Sequence, residues 1–381
     1  MMYLDNSATT KPYEEVLSTY IKVSQDFYAN PSSLHKKGSE AEALLTQSRK
    51  QVATLLGVQQ NEIIFTSGGT EGNNLAIKGA ALANKQKGNH IMTTVMEHPS
   101  VLEAFKQLES NFGFEVTYLP VDSNGFVSIE DVKREMREDT ILLSIMHVNN
   151  EVGSIQPIEE ISELMKKYKN CLFHVDHVQG ITKVPIYLSN LHIDLCTISG
   201  HKFHGLNGTG VLYVKKGVVL LPLFSGGDQE LQFRSGTESL AGNVALAKAL
   251  RMSLDKASGN RKRLKQLHEK LRVELKKIDG VVINTPENNA APHILNFSVP
   301  HIKSEVLIHY LGEQNIIVST TSACSSRNKK VSHTLKAMKK PDTVANSSIR
   351  ISLSFDDTEE IIKPLIAHLT NGIEKLLKVM R

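Results

Sequence analysis

From about residue 60 the chain alternates short β-rich apolar runs with amphipathic stretches, a rhythm that few architectures accept. The runs are Glu62–Ser67, His90–Val95, Glu115–Pro120, Ile141–Val148, Leu172–Asp176, Leu195–Ser199 and Gly210–Lys215. Between several of them lie helical patterns such as Val101–Ser110 and Ile158–Lys169. Apolar strands separated by helices predict an α/β fold, a mostly parallel seven-stranded sheet with helices on both faces. Ligands of such sheets bind where strands end and helices begin. A long helical region over Ala241–Asp279 leads out of this unit. Beyond it the order strand, helix, strand, loop, strand, helix predicts a smaller α+β domain. The expected division is 16–254 for the large domain, with 1–15 and 255–381 forming the small one.

With 381 residues the chain is long enough for both cores. A formal charge of +4 is too small to imply a nucleic-acid or membrane surface, so neither is expected as a direct partner. Basic residues cluster at Arg261–Lys277 and Arg327–Lys330. In the first cluster Leu264, Leu267 and Leu271 recur at helical spacing, which favours a solvated helix face over an RNA-binding patch. The start, Met1-Met2-Tyr3-Leu4-Asp5, lacks a basic region followed by an apolar run, and no segment has the unbroken apolar length of a membrane span. Three cysteines, at 171, 196 and 324, make neither a metal spacing nor a disulfide framework. A soluble, reducing, cytoplasmic setting without a bound metal is the expectation.

The polar residues that carry chemistry fall at the ends of the expected strands. After Ile63-Ile64-Phe65 comes Thr66-Ser67-Gly68-Gly69-Thr70-Glu71-Gly72-Asn73-Asn74, small residues that open a helix with free N–H groups, which suits a phosphate. A plain strand-to-helix turn uses similar residues, and the stretch has neither a nucleotide P-loop ending nor a dinucleotide fingerprint. Asp176 ends an apolar strand, with Gln179 three residues on; a carboxylate buried there needs a cationic or hydrogen-bonding partner. Ser199-Gly200-His201-Lys202 follows another strand, so Lys202 is expected in the cleft, where desolvation lowers the pKa as a Schiff-base lysine requires. His98 follows a third strand. Cys171 and Cys196 read as small buried hydrophobes, whereas Cys324 lies in a small, polar, basic stretch that favours a thiolate.

Taken together these residues resemble the NifS/IscS cysteine desulfurases, within the aminotransferase-like fold type I enzymes that use pyridoxal 5'-phosphate (PLP). The resemblance runs over essentially the whole chain. It is carried by Tyr3–Thr10, Asn30–His35, Thr66–Asn74, Glu97-His98, His147–Val152, Asp176 with Gln179, Ser199–Gly205, Arg234–Thr237, Ser322–Cys324 and Ser347–Arg350. It implies that Lys202 holds PLP covalently, that Asp176 pairs with the pyridine nitrogen, and that Gln179 bonds the phenolic oxygen. His98 is implied to stack on the ring and assist proton transfer. Gly69, Thr70, Ser199 and His201 are implied phosphate ligands, completed by Thr237 from the other subunit of a homodimer. Asn150 and Arg350 are implied to hold the carboxylate of L-cysteine, whose sulfur passes to Cys324 as a persulfide. A sulfur-acceptor protein follows, with a tRNA 4-thiouridine sulfurtransferase favoured over an iron–sulfur scaffold.

Two features depart from the family's usual pattern. His177 stands where a small residue is usual, and strand alternation turns it away from the side that Asp176 and Val178 face, so it is expected to affect packing. The Arg327-Asn328-Lys329-Lys330 run is more basic than in housekeeping members and resembles desulfurases dedicated to tRNA thiolation. Other readings of the scaffold are an aminotransferase, a selenocysteine lyase, or a non-catalytic sulfur-relay protein.

Overall fold

The computed structural model describes residues 1–320 and 331–379. It opens with a short strand β1 (Met2–Tyr3) and the helices α1 (Glu14–Asp26) and α2 (Lys36–Leu56). The large sheet is then built from β2 (Ile63–Thr66), α3 (Gly69–Asn84), β3 (His90–Thr94), α4 (Pro99–Phe112), β4 (Glu115–Leu119), α5 (Ile129–Glu135) and β5 (Thr140–Met146). It continues through α6 (Ile158–Met165), β6 (Leu172–Asp176), β7 (Leu195–Ser199) and β8 (Gly210–Val214).

These seven strands lie in the order β2-β8-β7-β6-β5-β3-β4. Pairs among β3 to β7 are parallel, and β8 runs antiparallel to both β2 and β7. Every residue of β2, β3, β5, β7 and β8 is buried, as a sheet covered on both faces requires. The expected strands are therefore present, with β6 and β7 matching residue for residue. One helix is shorter than its periodicity implies. The pattern over 158–169 ends as a helix at Met165, because i→i+3 bonds from Lys167, Tyr168 and Cys171 tighten the chain into β6.

Helix α7 (Leu240–Lys276) is 37 residues long and touches two hydrophobic clusters in turn. Leu246 and Leu250 belong to the cluster under the large sheet, whereas Ala257, Leu264, Leu267 and Leu271 belong to a second one. The basic residues of 261–277 thus sit on the outward side of a half-buried helix. The second cluster is closed by β9 (Val282–Ile283), β10 (Ile294–Ser298), α8 (Ser304–Glu313), β11 (Ile316–Ile317), β12 (Ser319–Thr320), β13 (Ser348–Ser352) and α11 (Ile362–Val379), while α9 (His333–Ala337) and α10 (Asp342–Ala345) place Leu335 and Ala345 in the first. Its sheet has the order β12-β13-β10-β9. β1 pairs in parallel with β11 and Leu4 is buried in this second cluster, so the N-terminal residues pack there.

Candidate active site

The carboxyl ends of β2, β3, β5, β6 and β7 converge with the N-terminal segment at one edge of the large sheet. A cavity of about 210 Å³ lies between them, with Thr70, His98, Asp176, Lys202, Asn150 and Arg350 in its walls.

At one end, β2 passes into α3 through Gly68, whose φ of +145° favours glycine. A Cβ on Gly69 would sit 3.0 Å from Val178 Cγ2, so the backbone needs this residue to approach the neighbouring turn. Thr70 stands in the first turn of α3, and a second opening of about 390 Å³ exposes Ser67, Gly69, Thr70, Ser199 and His201 together. Free N–H groups and the positive end of a 16-residue helix make this a site for an anion. His201 Nδ1 lies 3.2 Å from Thr9 Oγ1, and burial, aided by the Lys202 charge, lowers its pKa to about 4, leaving it neutral.

In the centre, Asp176 ends β6. Its Oδ1 accepts from the Val178 amide at 3.0 Å and its Oδ2 from Asn73 Nδ2 at 2.8 Å. Asn73 Nδ2 also donates to Ser100 Oγ at 2.9 Å, and Ser100 Oγ lies 2.7 Å from His98 Nδ1. The Ser100 amide donates to the same nitrogen at 3.1 Å while His98 caps α4. Nδ1 is therefore the acceptor, and the proton of neutral His98 belongs on Nε2. Burial lowers the His98 pKa, with Asp176 opposing and Lys202 adding to the shift.

Lys202 closes the turn after β7. Its Nζ donates to the carbonyls of Ser7 at 2.6 Å and Ala8 at 2.8 Å, and Gln179 Nε2 reaches the Ser7 carbonyl at 3.0 Å. The segment supplying those carbonyls is tied down by Thr10, whose amide and hydroxyl both donate to the His201 carbonyl.

At the far end Arg350, in β13, is 5% exposed. Its Nη1 donates to the Asn150 carbonyl at 2.7 Å and its Nη2 to Asp5 Oδ1 at 2.9 Å, while Nε has no partner among the described residues. A buried guanidinium N–H without an acceptor, in the wall of a cavity, suits a carboxylate. Ser319 of β12 pairs opposite Arg350, so the chain enters 321–330 beside this arginine. After residue 330, Ser332 Oγ donates to Glu151 Oε2 at 2.5 Å. Cys324 lies outside the described residues.

Of the residues singled out from the sequence, Gly69, Thr70, His98, Asn150, Asp176, Gln179, Ser199, His201, Lys202 and Arg350 all line the 210 Å³ cavity. Thr237 does not; it is exposed on the loop after Arg234. His177 is buried against His147, Nδ1 to Nδ1 at 2.8 Å, and is absent from the cavity wall. Cys171 and Cys196 are buried, and desolvation pushes both thiols well up, which keeps them inert. Sequence reasoning assigned no role to Asn73, Ser100 or Asp5. Asn73 had a signal: it is four residues after Gly69 on the same helix, hence on the face that meets the cleft.

A cleft that combines an amine, a carboxylate fixed by two donors, a glycine-rich helix N-terminus and an arginine fits PLP and an amino-acid substrate. With this mostly parallel sheet it defines a fold type I PLP enzyme. The class-V aminotransferase family model matches residues 2–365. The NifS/IcsS protein homolog of Lactobacillus delbrueckii subsp. bulgaricus is 48% identical over 369 residues, covering 96% of either chain. Cysteine desulfurase IscS of Dictyoglomus turgidum is 42% identical over 98% of this chain and 95% of that one. A solved NifS-like protein superposes with a TM-score of 0.91 at 39% identity, covering 99% of each chain. The chain belongs to the class-V aminotransferase family, in its NifS/IscS group, and is PLP-dependent.

Proposed function

We propose that the chain is a cysteine desulfurase, converting L-cysteine to L-alanine and transferring the sulfur to Cys324. The observation that carries this reading is one cavity shared by Lys202, Asp176, His98 and Arg350, with Arg350 opposite the strand that leads into the Cys324 segment.

Lys202 Nζ would hold the cofactor, with Asp176 available to its pyridine nitrogen and Gln179 to its phenolic oxygen. Gly69, Thr70, Ser199 and His201 would receive the phosphate, and the partner subunit's Thr237 would complete the cup in a homodimer. Bound there, PLP supplies an electron sink for the pair released from the substrate's Cα–H bond. Arg350 and Asn150 hold the substrate carboxylate, which turns the α-hydrogen towards Lys202 Nζ. Lys202 takes that proton as a base, and neutral His98 assists proton movement beside the ring. The Cys324 thiolate attacks the substrate sulfur: the S–S bond forms, the Cβ–S bond breaks, and the carbon skeleton leaves as alanine once reprotonated.

The same reading divides the chain into 16–254 and 1–15 with 255–381, the small domain bringing Arg350 and the Cys324 segment to the cofactor. It places the enzyme in the cytoplasm; among the described residues no helix is long and apolar enough to cross a membrane. The persulfide goes to an acceptor protein. The basic run Arg327–Lys330 favours a tRNA 4-thiouridine sulfurtransferase, with an iron–sulfur scaffold second.

The test is alanine and sulfide release from L-cysteine with a thiol reductant, wild type against Cys324→Ser. Loss in the variant is expected. Full alanine release in C324S would turn the assignment towards a lyase or an aminotransferase, which has no use for Cys324.

A further inference from the structure

A second lysine lies under the first. Lys183 is 7% exposed, and its Nζ donates to the backbone carbonyl of Lys202 at 2.6 Å. It reaches that position from a strained turn. Thr182, immediately before it, has φ of +69°, an outlier for a β-branched residue, and its buried hydroxyl has no partner among the described residues. The same turn starts at Asp176 and contains Gln179, and its Gly180 is wedged against His147 and His177. One short loop therefore presents Asp176 and Gln179 to the cavity on one side and Lys183 to the Lys202 backbone on the other.

Among the described residues Lys183 has no counter-charge. The groups that face it are Lys202 and His204 after β7, His293 ahead of β10, and Arg261 of α7, which bonds the Thr182 carbonyl at 3.2 Å. Burial lowers both histidines, His204 to about 4, so neither carries charge near neutrality. No carboxylate of the described residues forms an ion pair with Lys183. A buried ammonium held by a carbonyl and facing another lysine destabilises positive charge on its neighbour, one recognised way to activate a lysine nucleophile.

Building on the desulfurase reading, we infer that Lys183 is a positioning residue for Lys202, clamping its backbone and, by its charge, favouring loss of the proton from the Lys202 side-chain nitrogen. The effect is reciprocal: burial, and then the Lys202 charge, bring Lys183 down to about 7, so a positive charge on either amine disfavours one on the other.

The experiment is a pH titration of cofactor absorbance in holoenzyme without substrate, comparing wild type, Lys183→Gln and Lys183→Arg. Gln keeps an N–H donor without the charge; Arg keeps both. The midpoint that reports the proton on the Lys202-linked nitrogen is expected to rise by about one unit in K183Q, roughly tenfold in acidity, and to stay near wild type in K183R. A clamp acting through geometry alone leaves K183Q unshifted, which would overturn the inference. So would a K183R midpoint displaced as far as K183Q; if K183Q does not fold, Lys183→Asn, also an uncharged N–H donor, takes its place in the comparison. A wild-type chain that does not hold PLP on Lys202 instead removes the site assignment, and this inference with it.

Discussion

The side-chain amide of Asn73 donates to Asp176 Oδ2 at 2.8 Å and to Ser100 Oγ at 2.9 Å, joining the cleft's carboxylate to its imidazole through one group. Ser100 passes the restraint to His98 Nδ1 at 2.7 Å. Asn73 is 1% exposed, so water cannot replace the lost donor. Asn73→Leu keeps the volume and removes both bonds. Hydrogen bonds to a charged acceptor contribute about 1.5–3 kcal/mol. PLP affinity is expected to fall about tenfold to a hundredfold, read by titrating apoenzyme with PLP. Unchanged affinity would mean that Asp176 is oriented by the Val178 amide alone.

If Arg350 holds the substrate carboxylate, replacing it separates substrate binding from cofactor binding. Its guanidinium is fixed by Asp5 and the Asn150 carbonyl, which leaves Nε for an incoming carboxylate. Arg350→Lys keeps the charge and loses the fork. KM for L-cysteine is expected to rise about tenfold to a hundredfold, with PLP absorbance and affinity unchanged. A variant that loses PLP but keeps KM would place Arg350 in the fold rather than at the substrate.

Glu97 gives the protein a pH-dependent stability. Its Oε1 accepts from the Met146 amide at 3.0 Å and Thr94 Oγ1 at 2.8 Å, while Oε2 is buried without a partner among the described residues. Desolvation raises its pKa to about 8, with a smaller push from Asp176. The folded state thus binds a proton that the unfolded state has released, and stability falls as pH rises from the ordinary carboxyl range to about 8. The stake is on the order of a few kcal/mol. Glu97→Gln needs no proton, so its Tm is expected to drop less than that of wild type between about pH 5 and about pH 8. Parallel Tm curves for the two proteins would show that Glu97 is ionised in the fold.

Local pattern carried the sheet and most of the cleft. Asp176 and Ser199 are legible as site residues because each ends a run of apolar strand residues, and the strand end is where such sheets bind ligands. What escaped sequence reasoning depends on contacts between distant segments. Asp5 meets Arg350 across 345 positions, and Lys202 Nζ finds its carbonyls 195 and 194 positions away at Ser7 and Ala8. No periodicity records such pairs. Lys183 escaped for another reason: it follows a residue with positive φ that no turn motif marks, since Thr182 is β-branched where glycine or asparagine is usual. His177 was legible in direction, through strand alternation, but not in its partner His147, which comes from the end of a different strand.

The His147–His177 contact leaves no room for a side chain at Gly180. A Cβ there would stand 2.4 Å from His147 Nδ1 and 2.6 Å from His177 Cε1. Both rings are buried, 3% exposed each, so neither can swing into solvent. Gly180→Ala must push the rings apart or lift the turn that carries Asp176 and Gln179. Overpacking of this kind costs about 1–3 kcal/mol. A lower Tm and weaker PLP retention are expected together, because one displacement produces both. His177→Ala removes one of the two obstructing rings and is expected to restore part of both losses in the double variant, a positive coupling in a double-mutant cycle. Additive losses would show that His147 alone blocks the site, and that His177 fills space without steering the loop.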